Sequence, residues 1–389
     1  MSYILSNDNR FYVAIEQSYG TAGAITGANR IPALKLTAKQ RSEKVQRKDK
    51  TGSRTFPGNP SGLRKETSFE LRTYLVSWAD QTSQPPYGPL FQACLGSPAM
   101  LSGGGTIASS SDPSRVTFAA PHGLVPGQAI AVADEIRFAS AIVDANTIVV
   151  NAPFSVSVGA NTTASPTATY QPANDLKSVM LFDYWSPGTS VQRLLSGAAV
   201  DKLTIKINGD FHEFDFTGQA RDLVDSSSFQ GGQGGLTAFP QEPTVGGLNY
   251  SIIPGHLGQV WLGTAPSQFF TLTKAEISFQ NNLDLRSKEF GTDLPLGISP
   301  GQRNVSVDFS LYELDDSATR ALYQAARQKS PISVMIQLGQ QQGQLFGIFM
   351  KNVIPEVPEF DDADKRLQWQ FQNCRAQGSV DDEVFVAFG

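Results

Sequence analysis

The chain has 389 residues, 40% of them hydrophobic and 17% charged, with 35 Gly and 23 Pro. Low charge with so many turn formers fits a β-rich, turn-rich fold better than a helical one, and the length permits ample core. The net charge of −5 is unevenly held: residues 39–65 carry nine Lys/Arg against two acids, leaving −12 on the rest, which speaks against nucleic-acid binding over the whole surface.

In chain order, residues 1–30 read as an N-terminal arm. Asn9–Ile15 is a short strand and Gly20 to Ala24 flexible chain, so the arm is suited either to exchange onto a neighbour or to an ordinary edge strand. Its first residues lack the cationic-then-apolar order of a signal peptide. Residues 31–75 read as a strand, a long basic loop and a second strand, Thr67–Leu71, which alternates polar and apolar residues. The loop carries Arg41, Lys44, Arg47, Lys48, Lys50 and Arg54, and compact domains rarely keep so long a connection without a use for it. Two partners suit it: nucleic acid, or an acidic patch on another copy of the chain. Phe56 is its one aromatic for base stacking, which favours the second.

After the prolines at 85, 86 and 89, a short helix over Leu90–Leu95 ends at Gly96. Residues 105–170 change to Ser, Thr, Ala and Val, with strands at Arg115–Phe118, Ala129–Val132, Ile136–Phe138 and Thr147–Val150; they read as a small β module inserted in a host domain. The host, 31–104, resumes over 171–240 with strands Ser178–Phe182 and Leu203–Ile207, an Asn208-Gly209 hairpin turn and a return strand Phe211–Phe216. Residues 241–268 read as a linker with some strand near Gly258–Leu262, and 269–389 as a second unit. That unit has a strand Lys274–Asp284, a loop through Gly291 and Pro295, a strand Val305–Leu311, and a helix capped at Asp315-Asp316-Ser317 with Ala318, Ala321, Leu322 and Ala325 as its apolar face. Strands Ser333–Leu338, Leu345–Met350 and Leu367–Gln372 follow, and the tail Glu383–Phe388 alternates.

The second unit repeats the first. Gly62-x-Arg64 matches Gly301-x-Arg303, Phe69-Glu70-Leu71 matches Phe309-Ser310-Leu311 with one residue of slip, Leu90–Ala93 matches Leu322–Ala325, Ser178–Leu181 matches Ser333–Ile336, and Phe214-x-Phe216 matches Trp369-x-Phe371. The expected fold is therefore mainly β: two tandem units of sandwich- or barrel-forming sheets, each with one packed helix, plus the inserted module.

No catalytic signature is present, so no enzyme activity, cofactor or metal is expected. His212, near Asp210, Glu213 and Asp215, shares a strand face with Phe214 and Phe216 and is read as a core residue. Cys94 and Cys374 lack metal-ligand spacing and are read as buried thiols. The acidic run Glu356, Glu359, Asp361, Asp362 and Asp364 is read as a solvated loop or as a docking patch for the basic loop.

The second unit resembles the major tail tube proteins of long, non-contractile-tailed bacteriophages, in Ile277–Leu283, Pro300-Gly301-x-Arg303, the helix with Ala321-Leu322-Tyr323 and the acidic end Asp381-Asp382-Glu383. Ala14–Thr21 is similar to the starts of such proteins, and the inserted stretch, with Pro121–Leu124 and Asn151–Phe154, looks like small β modules of phage tails. The resemblance implies a structural virion protein, made and assembled in the bacterial host cytoplasm and resident in the tail. Six sheets would close a barrel around the DNA channel, so two units per chain imply trimeric rings. It also implies that Arg41, Lys44, Arg47, Lys48, Lys50 and Arg54 stack on the 356–364 patch of the next ring. A net-negative lumen is expected, with Asp284 and Asp308 as candidates, so that double-stranded DNA passes without specific binding. Tape-measure, tail-terminator and distal tail proteins are implied partners, and no membrane insertion is expected. The alternative is a tail-tip or adhesin protein binding host-surface glycans, which needs exposed Trp or Tyr platforms; a DNA-binding protein using the basic loop is a third reading.

Overall fold

The computed structural model describes residues 3–42, 48–56, 58, 62–248, 250–363 and 365–389. The chain is mainly β, with large antiparallel sheets and, among the described residues, two α-helices. In order, β1 is Asn9–Ile15, β2 Ala33–Ser42, β3 Lys65–Tyr74, α1 Gly88–Leu95, β4 Thr167–Tyr170, β5 Val179–Trp185, β6 Arg193–Ile207, β7 Glu213–Ala220, β8 Gly258–Gly263, β9 Leu272–Gln280, β10 Asn304–Tyr312, α2 Ser317–Gln328, β11 Ile332–Leu338, β12 Phe346–Ile354, β13 Glu359–Asp361, β14 Gln368–Gln377 and β15 Phe385–Phe388. A separate six-stranded sheet lies within residues 105–164.

The main strands pair in two sets of the same order. The first runs β2, β3, β7, β6, β5, β1, each antiparallel to the next. The second runs β9, β10, β14, β12, β11, β8. β13 prolongs β12 along β14 without a slip: Ile354 faces Arg375 and Glu359 faces Gln370, five residues on in one strand and five back in the other. The two sets join edge to edge where Lys202–Ile207 of β6 pairs with Ala275–Gln280 of β9. One inner layer thus runs β2–β3–β7–β6–β9–β10–β14–β13.

Period-two patterning builds this layer. β3 buries Thr67, Phe69, Leu71 and Thr73 and turns Glu66, Ser68, Glu70 and Arg72 to solvent. The long strand β6 serves two layers: its first half pairs with β5, its second with β7 and β9. Gly197, at φ 60°, sits in the first half, and a Cβ there would come within 2.7 Å of Arg221 Cβ; only glycine allows so close an approach with positive φ.

Both sets share one core. Phe91 of α1 lies 5.4–5.7 Å, centroid to centroid, from Tyr170, Phe214, Phe216, Phe346 and Phe388, which come from both sets and from the C-terminal strand. α1 ends at Gly96 (φ 101°) as its sequence requires. α2 is capped by Asp316, which accepts from Thr319 N at 2.7 Å. Its buried residues are Thr319, Leu322, Ala325 and Ala326, with Ala321 exposed, so the inward face is turned slightly from the expected one.

The register also revises one repeat landmark. Phe216 faces Leu71 and Phe371 faces Phe309, so with Phe214-x-Phe216 and Trp369-x-Phe371 held as counterparts Leu71 corresponds to Phe309, two residues from the alignment read in the sequence. Phenylalanine and leucine interchange on a core face, and local spelling misleads where only burial is constrained.

β1 of the arm lies inside its own chain, paired along its whole length with β5. The Gly- and Ser-rich stretch after β7 lies on the outer face of the first set, where Phe229, Leu236 and Phe239 pack on Tyr12, Met180, Phe182, Tyr184 and Leu194. It is fastened by Glu242, which accepts from Arg10 Nη2 at 2.7 Å and from Tyr12 at 3.0 Å. The corresponding outer face of the second set is covered by the inserted sheet: Ala129, Ala131, Ile136 and Phe138 pack on Trp261, Met335, Leu345, Phe349 and Phe385. β15 then pairs on one side with β4, at the exit of the insertion, and on the other with β12.

Candidate assembly surfaces

Three surfaces of the inner layer face outward: its polar face, its two edges and the loops at one end. The polar face alternates with the core on every strand. Acids Glu66, Glu70, Glu213, Asp215, Glu276 and Asp308 interleave with Lys39, Arg72, Lys202, Lys206 and Arg375, among Ser, Thr and Gln. Cross-strand pairs neutralise much of this charge: Arg72 Nε lies 2.8 Å from Asp215 and Lys206 Nζ 2.7 Å from Asp215. Partial burial pushes the Asp215 carboxyl up, but hydrogen bonds from Arg72 and Lys206 outweigh it and hold the group below its ordinary value. The face is thus charge-balanced rather than uniformly acidic. Of the two acids expected to line a channel, Asp308 is on this face; Asp284 is exposed in a short strand, Asp284–Leu285, inside the 281–303 loop.

The edges differ in sign. Among the described residues β2 pairs only with β3, and Lys35, Lys39 and Arg41 are exposed along it. At the far end β13 pairs, among the described residues, only with β14, and Glu359 and Asp362 are exposed with Asp361 half-buried. Asp361 accepts from Gln370 Nε2 at 2.8 Å. Glu356 pairs with Lys329, at the C-terminus of α2. Pro355 and Pro358 flank the edge and limit its pairing. Phe360 is 57% exposed, stacked 5.6 Å from Trp369. Sequence reading found the acids but missed Lys39 and Phe360, since nothing in the spelling says which strand is an edge.

The C-terminal base of the first long loop meets the second at one end. Lys65 N donates to Asp293 O at 2.9 Å, and Arg64 Nη2 to Lys288 O at 3.2 Å. Lys48, Lys50 and Arg54 are exposed and Arg41 is the last but one residue of β2, while Lys44, Arg47 and Asp364 lie outside the described residues. Among the described residues, the structure does not bring the basic stretch and the acidic run together within one chain: Arg41 lies on the edge strand β2 and Glu359 and Asp361 on the edge strand β13.

His212 is buried, with Nε2 3.2 Å from Leu257 O, and burial lowers its pKa to about 4. Among the described residues no group of three His, Cys, Asp or Glu is placed to hold a metal. Trp78, Trp261 and Trp369 are buried and Trp185 is half-buried. No helix among the described residues is long and apolar enough to cross a membrane.

No family model matches the chain and no curated protein matches it. Among solved structures, the chain is similar to the hybrid structure of the SPP1 tail tube by solid-state NMR and cryo EM, at a TM-score of 0.26 and 14% identity, over 33% of this chain and 81% of that one.

Proposed function

We propose that the chain is a structural virion protein whose rings stack into the tail tube of a long-tailed bacteriophage, the conduit for DNA ejection. The observation that carries the reading is the repeated strand order joined edge to edge into one layer with two open edges. A sheet that ends in open edges must be paired or covered, and closure of several copies into a ring removes every edge at once. The two sets would correspond to two tube domains, 31–104 with 171–240 and 269–389, the first extended by β1 of the arm and the second by β8 from the 241–268 stretch, so three chains would supply six-fold repetition around a channel. The charge-balanced polar face would line that channel, and a surface without a net positive field gives DNA little to release counterions against. The loops at 43–64 and 281–303 would reach the next ring; tape-measure and terminator proteins would bound the tube.

Negative-stain electron microscopy of the purified protein tests this. The expected result is rings or tubes whose end-on averages show a six-fold inner wall with three-fold outer features. Monodisperse monomers at every concentration and salt would overturn it.

A further inference from the structure

The joint inside the chain is a template for the joint between chains. With the aromatic landmark Phe214-x-Phe216 and Trp369-x-Phe371 as anchor, pairing carries the correspondence of the two sets from strand to strand. Phe214 and Phe216 of β7 occupy the positions of Trp369 and Phe371 of β14, and Ile205 stands opposite Phe214 as Phe360 stands opposite Trp369. So β13 and the residues before it are the counterpart of the second half of β6. In the same way Leu71 corresponds to Phe309; Leu36 lies opposite the first and Ala275 opposite the second, so β2 is the counterpart of β9. Within the chain, this half of β6 pairs with β9, Ile205 opposite Ile277 and Thr204 opposite Ser278. Their counterparts, β13 and β2, are the two open edges.

We propose that β13 of one copy adds to β2 of a second copy in the register of the internal joint, with Glu359 opposite Lys39, Phe360 opposite Ala38 and Asp361 opposite Thr37. The inference rests on the reading of the chain as a ring subunit and names the surfaces that close the ring. Three observations meet in it. The exposed Phe360 takes the place of Ile205, which is fully buried, and would cover the half-buried Ala38. The acids Glu359 and Asp361 come against Lys39 and its neighbours Lys35 and Arg41 on the polar side, where directly opposed unlike charges stabilise a pair. Pro358 has no N–H to donate, so the contact is short and side chains must choose the partner.

The charges also separate the two kinds of joint. Inside the chain the signs are reversed, with Lys206 on β6 opposite Glu276 on β9. If β2 replaced β9 on β6, Lys39 would sit among Lys202 and Lys206. If β13 paired with β9, Asp361 would stand opposite Glu276. Both exchanges place like charges together, so each edge is kept for its own partner. The acidic run read from sequence as a docking site for the next ring is thereby assigned to lateral closure.

The test is a paired-cysteine register scan in the full chain, whose own Cys94 and Cys374 are buried. Lys39→Cys with Glu359→Cys is expected to form intermolecular disulfides under mild oxidation, because opposed antiparallel residues lie within disulfide reach. Lys39→Cys with Asp361→Cys, two residues out of register, is expected to fail. Lys39→Glu is expected to abolish association, and Lys39→Glu with Glu359→Lys to restore it. Cross-linked closed rings that never stack would leave the joint standing and overturn the tube reading. Tubes without the first cross-link, or with the out-of-register one, would overturn the joint alone. Monomers throughout would overturn both.

Discussion

Removal of the Arg137 side chain should be among the most damaging single changes in the molecule, because this guanidinium sits where the inserted sheet meets the second set of strands. It is fully buried. It donates to Pro153 O at 3.1 Å, Ile136 O at 2.8 Å, Gln337 Oε1 at 3.0 Å and Gln259 Oε1 at 2.9 Å, and pairs with Glu135. Its carbon Cζ lies 5.4 Å from the rings of both Phe154 and Trp261. Burial lowers its pKa to about 10, with Glu135 opposing, so it stays charged at neutral pH. Arg137→Met leaves Glu135 as a buried carboxylate whose remaining donor is Ser155 N at 3.1 Å. Breaking a buried pair from one side costs about 3–5 kcal/mol, whereas replacing both partners by apolar groups is often neutral. Arg137→Met should therefore lower unfolding free energy by about 3–5 kcal/mol, and adding Glu135→Leu should recover most of it. Urea denaturation with the Trp261 signal reads both. A loss below about 1 kcal/mol for Arg137→Met, or no recovery in the double variant, would refute the pairing argument.

Phe91→Ala removes the hub of the shared aromatic core and should cost about 3–5 kcal/mol in equilibrium unfolding, felt equally by probes in both sets. His212 is neutral in the folded chain, with a pKa near 4 against 6.5 for the free side chain. Because the unfolded chain binds this proton first, stability is full above pH 6.5 and falls as pH drops towards 4, by roughly 3 kcal/mol at most. His212→Gln should flatten that slope in a pH series of unfolding curves. Asp316→Ala should cost about 1 kcal/mol by uncapping α2, with no effect on the register of the inner layer.

Much of the fold is legible in the sequence. Alternation in Lys65–Tyr74 and Leu272–Gln280, the Gly96 stop and the Asp316 cap all act locally, so spelling carries them. The repeat could be found too, because aromatic landmarks such as Phe214-x-Phe216 must meet a core at fixed spacing. Pairing across long separations was not legible. That β1 pairs with β5, that a glycine-rich stretch seals an outer face, and that the inserted sheet docks on the second set are tertiary facts, decided by which apolar faces would otherwise meet water. The same holds for the edges. Glu359 and Lys39 look like ordinary surface charges until the sheet order shows that each ends a layer.

The two outer faces explain why assembly should proceed by edges. One is closed by Phe229, Leu236 and Phe239 and the other by the inserted sheet, so each chain buries these apolar faces before it meets a neighbour. At the ends of the inner layer lies unpaired backbone at β2 and β13, framed by charges of opposite sign. Association driven by apolar faces strengthens in high concentrations of sulfate, whereas exposed ion pairs weaken as added salt shortens the screening length from about 10 Å at 0.1 M to about 3 Å at 1 M. Sodium chloride titrated from low to high ionic strength should therefore slow the growth of assemblies, and light scattering should show the loss in the chain with native charges but not in the one carrying Lys39→Gln with Glu359→Gln. Faster growth at high salt in the native chain would mean that a hidden apolar surface, rather than the charged edges, brings the copies together.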